Sequence, residues 1–224
     1  MRMKRFIKVA LAILLSAIIL FGVLSLVACD RKYDEEEVVS AAKALLEKAS
    51  ILNQIYYGGG INYNTVGHSE GYYYQADSMH LQSLGFDTID GLKALTESAF
   101  TQGYSSELYS NYLSSLTDGE YILGMARYYQ LYDDQINMRD PICIMVYSKY
   151  SPIMKDQVIY DYSSVRVSGV KKDTVYVTVT ATVKNSEGKS QTRDIEFGLI
   201  EEDAGWRINS PTFANYSELE DIYS

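Results

Sequence analysis

The stretch Thr174-Val175-Tyr176-Val177-Thr178-Val179-Thr180-Ala181-Thr182-Val183 decides the fold class of this chain. Valine or alanine occupies every second position, and threonine or tyrosine lies between them. Because successive side chains of a strand point to opposite faces, this alternation predicts a β-strand with one buried and one wetter face. Such a strand is typical of an antiparallel sheet that covers a core on one side.

Further strands are predicted on both sides of this stretch. Towards the C-terminus, turn-forming residues at 185–188 and 203–205 separate an alternating run at 195–199 from a last strand that contains Trp206 and Ile208. Towards the N-terminus, the strand predictions cover residues 121–131, 142–147 and 158–167, with a solvated turn at Asp133-Asp134-Gln135. Short turns between alternating runs predict an antiparallel meander.

Helices are predicted before the strands. Residues 34–56 begin with acidic residues, carry apolar residues at helical spacing and are followed by Gly58-Gly59-Gly60, which ends the pattern. A second helix is predicted over 88–101 and a third from Ser105 or Ser106 to Leu116.

Residues 61–84 have no regular pattern apart from a short extended segment at 71–75. The order of elements predicts an α+β fold, in which N-terminal helices pack on a curved antiparallel β-sheet.

The chain begins with a targeting segment. Four basic residues precede a run of uncharged, mostly apolar residues from Val9 to Ala28. This arrangement is typical of a secretion signal, and because positive residues stay on the cytoplasmic side, the chain after it is delivered outward. The run is about long enough to span a bilayer, so hydropathy alone also allows an uncleaved single-span anchor.

The residues Leu26-Val27-Ala28-Cys29 resemble the lipobox of bacterial lipoprotein signal peptides. This resemblance implies cleavage after Ala28 and a diacylglycerol thioether on Cys29, which anchors the protein to the outer face of the cytoplasmic membrane. It divides the chain into a signal peptide at 1–28, a short tether at 29–33 and a single domain at 34–224. The four residues after Cys29 reach at most about 14 Å, so we expect the domain to lie close to the membrane.

Net charge disfavours some partners. The chain has 20 Lys and Arg against 29 Asp and Glu. Removal of the signal peptide removes four basic residues and no acidic ones, which leaves 16 against 29 and a net charge of −13. Such acidity disfavours nucleic acid and anionic lipid. It suits a basic partner, and the alternative is that it is the ordinary charge of a soluble extracellular domain.

Catalytic and metal-binding signatures are not found in the sequence. Gly58-Gly59-Gly60 lacks the Lys and Ser or Thr of a phosphate-binding loop, and His68 and His80 lack metal-ligand spacing. Cys143 lies in a strand-like apolar run, where a thiol packs as a small hydrophobe. With Cys29 lipidated, no internal disulfide can form. We expect no cofactor, no metal and no enzymatic activity.

Tyrosine is unusually frequent, with 21 residues, many of them in clusters. Its flat apolar face and polar tip suit glycans, peptides and protein surfaces. The cluster Arg127-Tyr128-Tyr129 is the candidate binding site. The alternative is that tyrosine merely covers the sheet and helix surfaces of a small secreted domain.

The element order, which ends in Gly205-Trp206-Arg207-Ile208-Asn209, resembles the cystatin-like or nuclear-transport-factor-2-like architecture. In that fold a curved sheet wraps a helix and leaves a cone-shaped cavity. Residues 126–130 and 201–211 are similar to a group of uncharacterised Gram-positive lipoproteins. A weaker similarity links the chain to secreted inhibitors of cell-wall D,L-endopeptidases.

These resemblances and the lipobox favour a non-catalytic binding or regulatory module of the cell envelope, which acts on a wall-remodelling enzyme or a peptidoglycan-related partner. One alternative is a small-ligand-binding protein or a cavity enzyme of the same superfold, with Tyr128, Tyr129, Asp133 and Asp134 as its polar groups. The other is a structural partner in an envelope assembly.

Overall fold

The first helix among the described residues, α1, runs from Glu35 to Tyr56, which confirms its predicted bounds. Three glutamates lie in its first turn, where the helix dipole favours negative charge. The buried face of α1 holds Val38, Ala42, Leu45, Leu46, Ala49, Leu52, Asn53, Ile55 and Tyr56. Helical spacing of apolar residues therefore places one side of α1 in the core.

The computed structural model describes residues 33–113, 117–118, 121–122, 126–132, 141–154, 157–184 and 189–213, with the backbone alone at 117–118 and 121–122. The predicted signal peptide, Cys29 and the tether as far as residue 32 lie outside these ranges, as do the predicted turns at 133–135 and 185–188. The described residues from Glu35 onward form one compact unit.

In the part of the chain that the structure describes, three short helices follow α1, and each starts after a side chain that caps it. They are α2 (Ser78–Leu84, capped by Asp77), α3 (Ile89–Glu97, capped by Thr88) and α4 (Gln102–Tyr112, capped by Thr101). The predicted second helix is too long at its C-terminal end. The predicted third helix starts too late, because the hydroxyl of Thr101 accepts from the N–H of Tyr104 and so begins α4 earlier. Helix α2 was not predicted, since Leu81 is its one buried residue and gives no periodic signal.

The described ranges also contain six short strands, of which the first two lie between α1 and α2 and the other four follow α4. They are β1 (Ser69–Glu70), β2 (Tyr73–Gln75), β3 (Thr117–Asp118), β4 (Tyr121–Ile122), β5 (Tyr128–Tyr132) and β6 (Pro141–Tyr147). Four of them form an antiparallel sheet in the order β1-β2-β6-β5. The predicted strand over 121–131 is confirmed only in part, because β5 lies in this sheet whereas β4 pairs with β3.

A second antiparallel sheet corresponds to the last four strands of the predicted meander. Its strands are β7 (Gln157–Lys171), β8 (Thr174–Lys184), β9 (Ser190–Glu202) and β10 (Gly205–Ile208), in the order β10-β9-β8-β7. The valine face of β8 is buried as predicted. Register shifts between Asp161 and Arg166 and between Val167 and Gly169 interrupt β7, and such irregularities bend a strand.

Helix α1 packs against β7 and β10, so the core lies between α1 and the meander. This arrangement confirms the α+β class. The sequence predicts one continuous sheet, whereas the structure has two four-stranded sheets, because β5 and β6 pair with β1 and β2. Within the described ranges, no helix has the length and apolar composition needed to cross a membrane.

Candidate functional site

Strand β5 divides the predicted cluster Arg127-Tyr128-Tyr129 between two environments. Tyr128 is 0% exposed and Arg127 is 3% exposed, whereas Tyr129 is partly exposed. Successive residues of a strand point to opposite faces, so Tyr128 and Tyr129 lie on opposite sides of the sheet. The structure does not bring the three side chains together as one surface.

The guanidinium of Arg127 caps the C-terminal end of α1. Its Nη1 donates to the carbonyl oxygen of Tyr56 at 2.7 Å, and its Nη2 donates to that of Gly58 at 2.7 Å. The last carbonyls of a helix have no partner within the helix and carry the negative end of its dipole. Arg127 therefore supplies both hydrogen bonds and positive charge where α1 needs them.

Two tyrosines complete this buried cap. The hydroxyl of Tyr128 donates to the carbonyl of Ile55 at 2.7 Å and accepts from the N–H of Ile61 at 3.2 Å. The ring of Tyr150 stacks on the guanidinium of Arg127, with 3.8 Å between Cζ and the ring centroid. Burial raises the pKa of Tyr128 to about 12. We call Arg127, Tyr128 and Tyr150 the capping cluster.

The polar atoms of Arg127 and Tyr128 in the capping cluster bond to backbone groups of the protein itself. Burial lowers the pKa of Arg127, and within the described part of the chain no carboxylate lies within ion-pair distance of it. The helix carbonyls and the aromatic rings take the place of a counter-ion. Because Arg127 and Tyr128 are shielded from solvent, they stabilise the fold in this conformation and present nothing to a partner.

The partly exposed aromatic surface lies on the other side of β5. We call Tyr72, Tyr73, Tyr129 and Tyr147 the tyrosine face. Tyr73 is paired with Tyr147 between β2 and β6, and their ring centroids are 5.2 Å apart. Tyr73 also meets Tyr129 at 4.9 Å in an edge-to-face arrangement, and Tyr72 meets Tyr147 at 6.4 Å. Cross-strand aromatic pairs of this kind hold the rings in fixed positions.

Polar groups surround the tyrosine face. The hydroxyl of Tyr129 donates to Oε2 of Glu70 at 2.8 Å, and burial together with this carboxylate raises the pKa of Tyr129. The hydroxyl of Tyr73 donates to the carbonyl of Ala126 at 2.6 Å. Tyr72 is 55% exposed, and Nζ of Lys149 lies 5.5 Å from the centroid of its ring. Flat rings with one anion and one cation beside them can stack on sugars or peptide groups and pair with charged ones.

Sequence reasoning missed three of these residues. Glu70 and Lys149 flank the face, and Tyr150 completes the capping cluster. The available signal was their position next to other tyrosines, since Glu70 comes directly before Gly71-Tyr72 and Lys149-Tyr150 comes after Tyr147 with one residue between them.

The remaining candidates have structural roles or lie elsewhere. Cys143 is a buried free thiol on β6, as predicted, and burial raises its pKa. Nδ1 of His80 accepts from the backbone N–H of Asn62 at 2.9 Å. In the described ranges, no group of three or more His, Cys, Asp and Glu side chains is placed to hold a metal ion. Asp133 and Asp134 lie outside these ranges.

Comparison with known protein families finds no family that matches this chain. Comparison with curated proteins likewise finds no match.

Proposed function

We propose that the chain is a bacterial lipoprotein, held at the outer face of the cytoplasmic membrane by lipid on Cys29, and that its domain is a non-catalytic binding or regulatory module of the cell envelope. The lipobox at residues 26–29 supports the anchor. The structural observation that supports the binding role is the partly exposed tyrosine face.

The tyrosine face has the properties of a recognition surface. Three of its four rings lie on paired strands and pack against one another, so little side-chain entropy is lost when a partner binds. Tyr72 adds an aromatic side chain that is more than half exposed. Tyrosine is enriched in protein interfaces because it combines contact area with a hydrogen-bonding tip.

The proposed partner is a wall-remodelling enzyme of the envelope. The short tether keeps the domain near the membrane surface, so we expect its partner to lie there as well. The net charge of −13 after signal cleavage favours association with a basic protein. Peptidoglycan itself is the second partner of suitable chemistry, because its sugars can stack on the rings of the face.

We also propose the cystatin-like or nuclear-transport-factor-2-like architecture for this domain. The support is that α1 packs on a four-stranded antiparallel meander whose strand β7 is bent by register shifts.

Photo-crosslinking in intact cells tests the binding role. A benzophenone amino acid replaces Tyr72, and in the control it replaces Ile159, an exposed side chain on β7. We expect one dominant wall-remodelling enzyme to be captured from position 72 and not from position 159. Equal capture from both positions, or none from position 72, contradicts the proposal.

Metabolic labelling with an alkyne fatty acid tests the anchor separately. The unaltered protein is expected to incorporate the label, and Cys29→Ala is expected to lose it. An unaltered protein that stays in the membrane without label points to the uncleaved single-span anchor.

A further inference from the structure

A concave site lies near the N-terminal end of β6, whereas Tyr147 of the tyrosine face lies at its C-terminal end. An open cavity of about 660 Å³ is formed by α2, the loop after it and parts of β2 and β6. Cys143 lines this cavity and Tyr147 belongs to the tyrosine face, and the two positions are four residue steps apart along the strand, about 13 Å. The volume falls in the range of about 300–1,000 Å³ that is common for small-molecule sites.

Apolar side chains form much of the cavity wall. They include Met79, Leu81, Phe86 and Ile142, with the Cys143 thiol beside them. Met79 is 79% exposed and Ile142 is 45% exposed. A ligand that covers these two side chains removes apolar surface from water. Methionine also adapts its shape readily to an apolar ligand.

The charge of the wall restricts which ligand fits. Asp87 is the one charged residue among the lining residues that the structure describes, and the others with polar side chains, Gln75, Ser78 and Gln82, are neutral. No lysine, arginine or histidine is among these residues. A carboxylate without a neighbouring cation attracts positive groups and repels negative ones.

We propose that this cavity binds a small amphiphile with an apolar body and a cationic end, such as an alkyl ammonium group. The apolar body covers Met79, Phe86 and Ile142, and the cation lies near Asp87. This site goes beyond the proposed function, because it requires neither the tyrosine face nor the lipid on Cys29.

Two matched probes test the proposal: n-octylammonium and n-octanoate, which share an alkyl chain and differ in charge. The protein is the compact unit from Glu35 onward, with its methionine methyl groups labelled with ¹³C. We expect n-octylammonium to shift the methyl resonance of Met79 in a saturable way and to slow alkylation of Cys143 by iodoacetamide. Met154, which is buried and does not line the cavity, is the internal control.

Two substitutions in the cavity wall, with one control elsewhere, test whether the ligand binds in this cavity. Ile142→Lys adds a cation to the wall and is expected to weaken n-octylammonium binding by about tenfold or more, whereas Ile159→Lys, at an exposed isoleucine of β7, leaves it unchanged. Asp87→Asn is expected to abolish the preference for n-octylammonium over n-octanoate.

Three results overturn the proposal. They are equal binding of the two probes to the unaltered protein, a Met154 shift as large as that of Met79, and unchanged binding in an Ile142→Lys variant that unfolds at the same urea concentration as the unaltered protein.

Discussion

The capping cluster and the tyrosine face both contain tyrosines and meet at consecutive positions of β5, yet they differ in what their polar atoms contact. In the capping cluster, Arg127 and Tyr128 bond to backbone groups at the end of α1 and are shielded from water. In the tyrosine face, Tyr129 bonds to an exposed carboxylate. A cluster of tyrosines in sequence therefore does not define one site, since the two faces of a strand separate neighbours into structural and accessible groups.

Gly60→Ala is expected to have the largest effect on the capping cluster. Gly60 has a φ of +82°, and a Cβ there overlaps Nη2 of Arg127 and the hydroxyl of Tyr128. Backbone strain and displacement of the buried cap together are expected to lower the free energy of unfolding by about 4 kcal/mol or more. Urea unfolding followed by circular dichroism measures the change.

Gly71→Ala is the matched control, because Gly71 also has a positive φ, of +59°, but open space where the Cβ is placed. Backbone strain alone is expected to cost about 1–2 kcal/mol there. Equal losses in the two variants show that the contact with the capping cluster is unimportant.

Arg127→Met is expected to lower the free energy of unfolding by about 3 kcal/mol, because the carbonyls of Tyr56 and Gly58 lose charged donors inside the protein. Arg166→Met is the control, since Arg166 pairs with Asp194 at 2.6 Å on the surface and is expected to contribute less than about 1 kcal/mol. If the two variants lose the same stability, the capping role of Arg127 is wrong.

Alkaline pH is expected to destabilise the fold through buried tyrosines. Burial raises the pKa of Tyr128 and of Tyr160 to about 12, whereas an unfolded tyrosine ionises near 10. Between these values the unfolded state loses protons that the folded state keeps, so stability is full below pH 10 and falls as pH rises towards 12. Each residue is expected to contribute a loss of about 2 kcal/mol by pH 12.

Urea unfolding at several pH values from 8 to 12 measures this slope. Tyr128 and Tyr160 are expected to contribute equally to the alkaline loss of stability, so Tyr160→Phe is expected to remove about half of their joint contribution. If the slope does not change in this variant, the alkaline loss belongs to other groups.

Tyr129→Phe is expected to have the smallest effect, below about 1 kcal/mol, because water can replace its bond to the exposed Glu70. Its neighbour Tyr128→Phe is expected to cost about 1–3 kcal/mol, since the carbonyl of Ile55 and the N–H of Ile61 lose a partner inside the protein. Thermal unfolding of the two variants compares them directly, and the reverse order refutes the division of β5 into two faces.

Much of the fold follows from periodicity. The alternation at 174–183 and the helical spacing at 34–56 each extend over many residues, so the meander and α1 were predicted correctly. In the sheet that carries the tyrosine face, the strand at 142–147 and the extended segment at 71–75 are confirmed by β6 and β2. The separate sheet itself was not predicted, because β1 and β2 have only two and three residues and give no periodic signal. Their pairing with β6 depends on contacts that are distant in sequence.

The candidate site was predicted only in part for a related reason. Arg127, Tyr128 and Tyr129 were recognised by residue type, but their accessibility depends on which face of β5 meets α1. Tertiary packing decides that, and a five-residue strand is too short for its own pattern to reveal it.

The central claim is that the tyrosine face binds a partner while the capping cluster stabilises the fold. Partner capture and the free energy of unfolding, measured together for Tyr72→Ala and Tyr128→Phe, test it most directly. Tyr72→Ala is predicted to change stability by less than about 0.5 kcal/mol and to abolish capture, whereas Tyr128→Phe is predicted to lose stability and to retain capture while it is folded. Undiminished capture by Tyr72→Ala, or loss of capture by folded Tyr128→Phe, contradicts the claim.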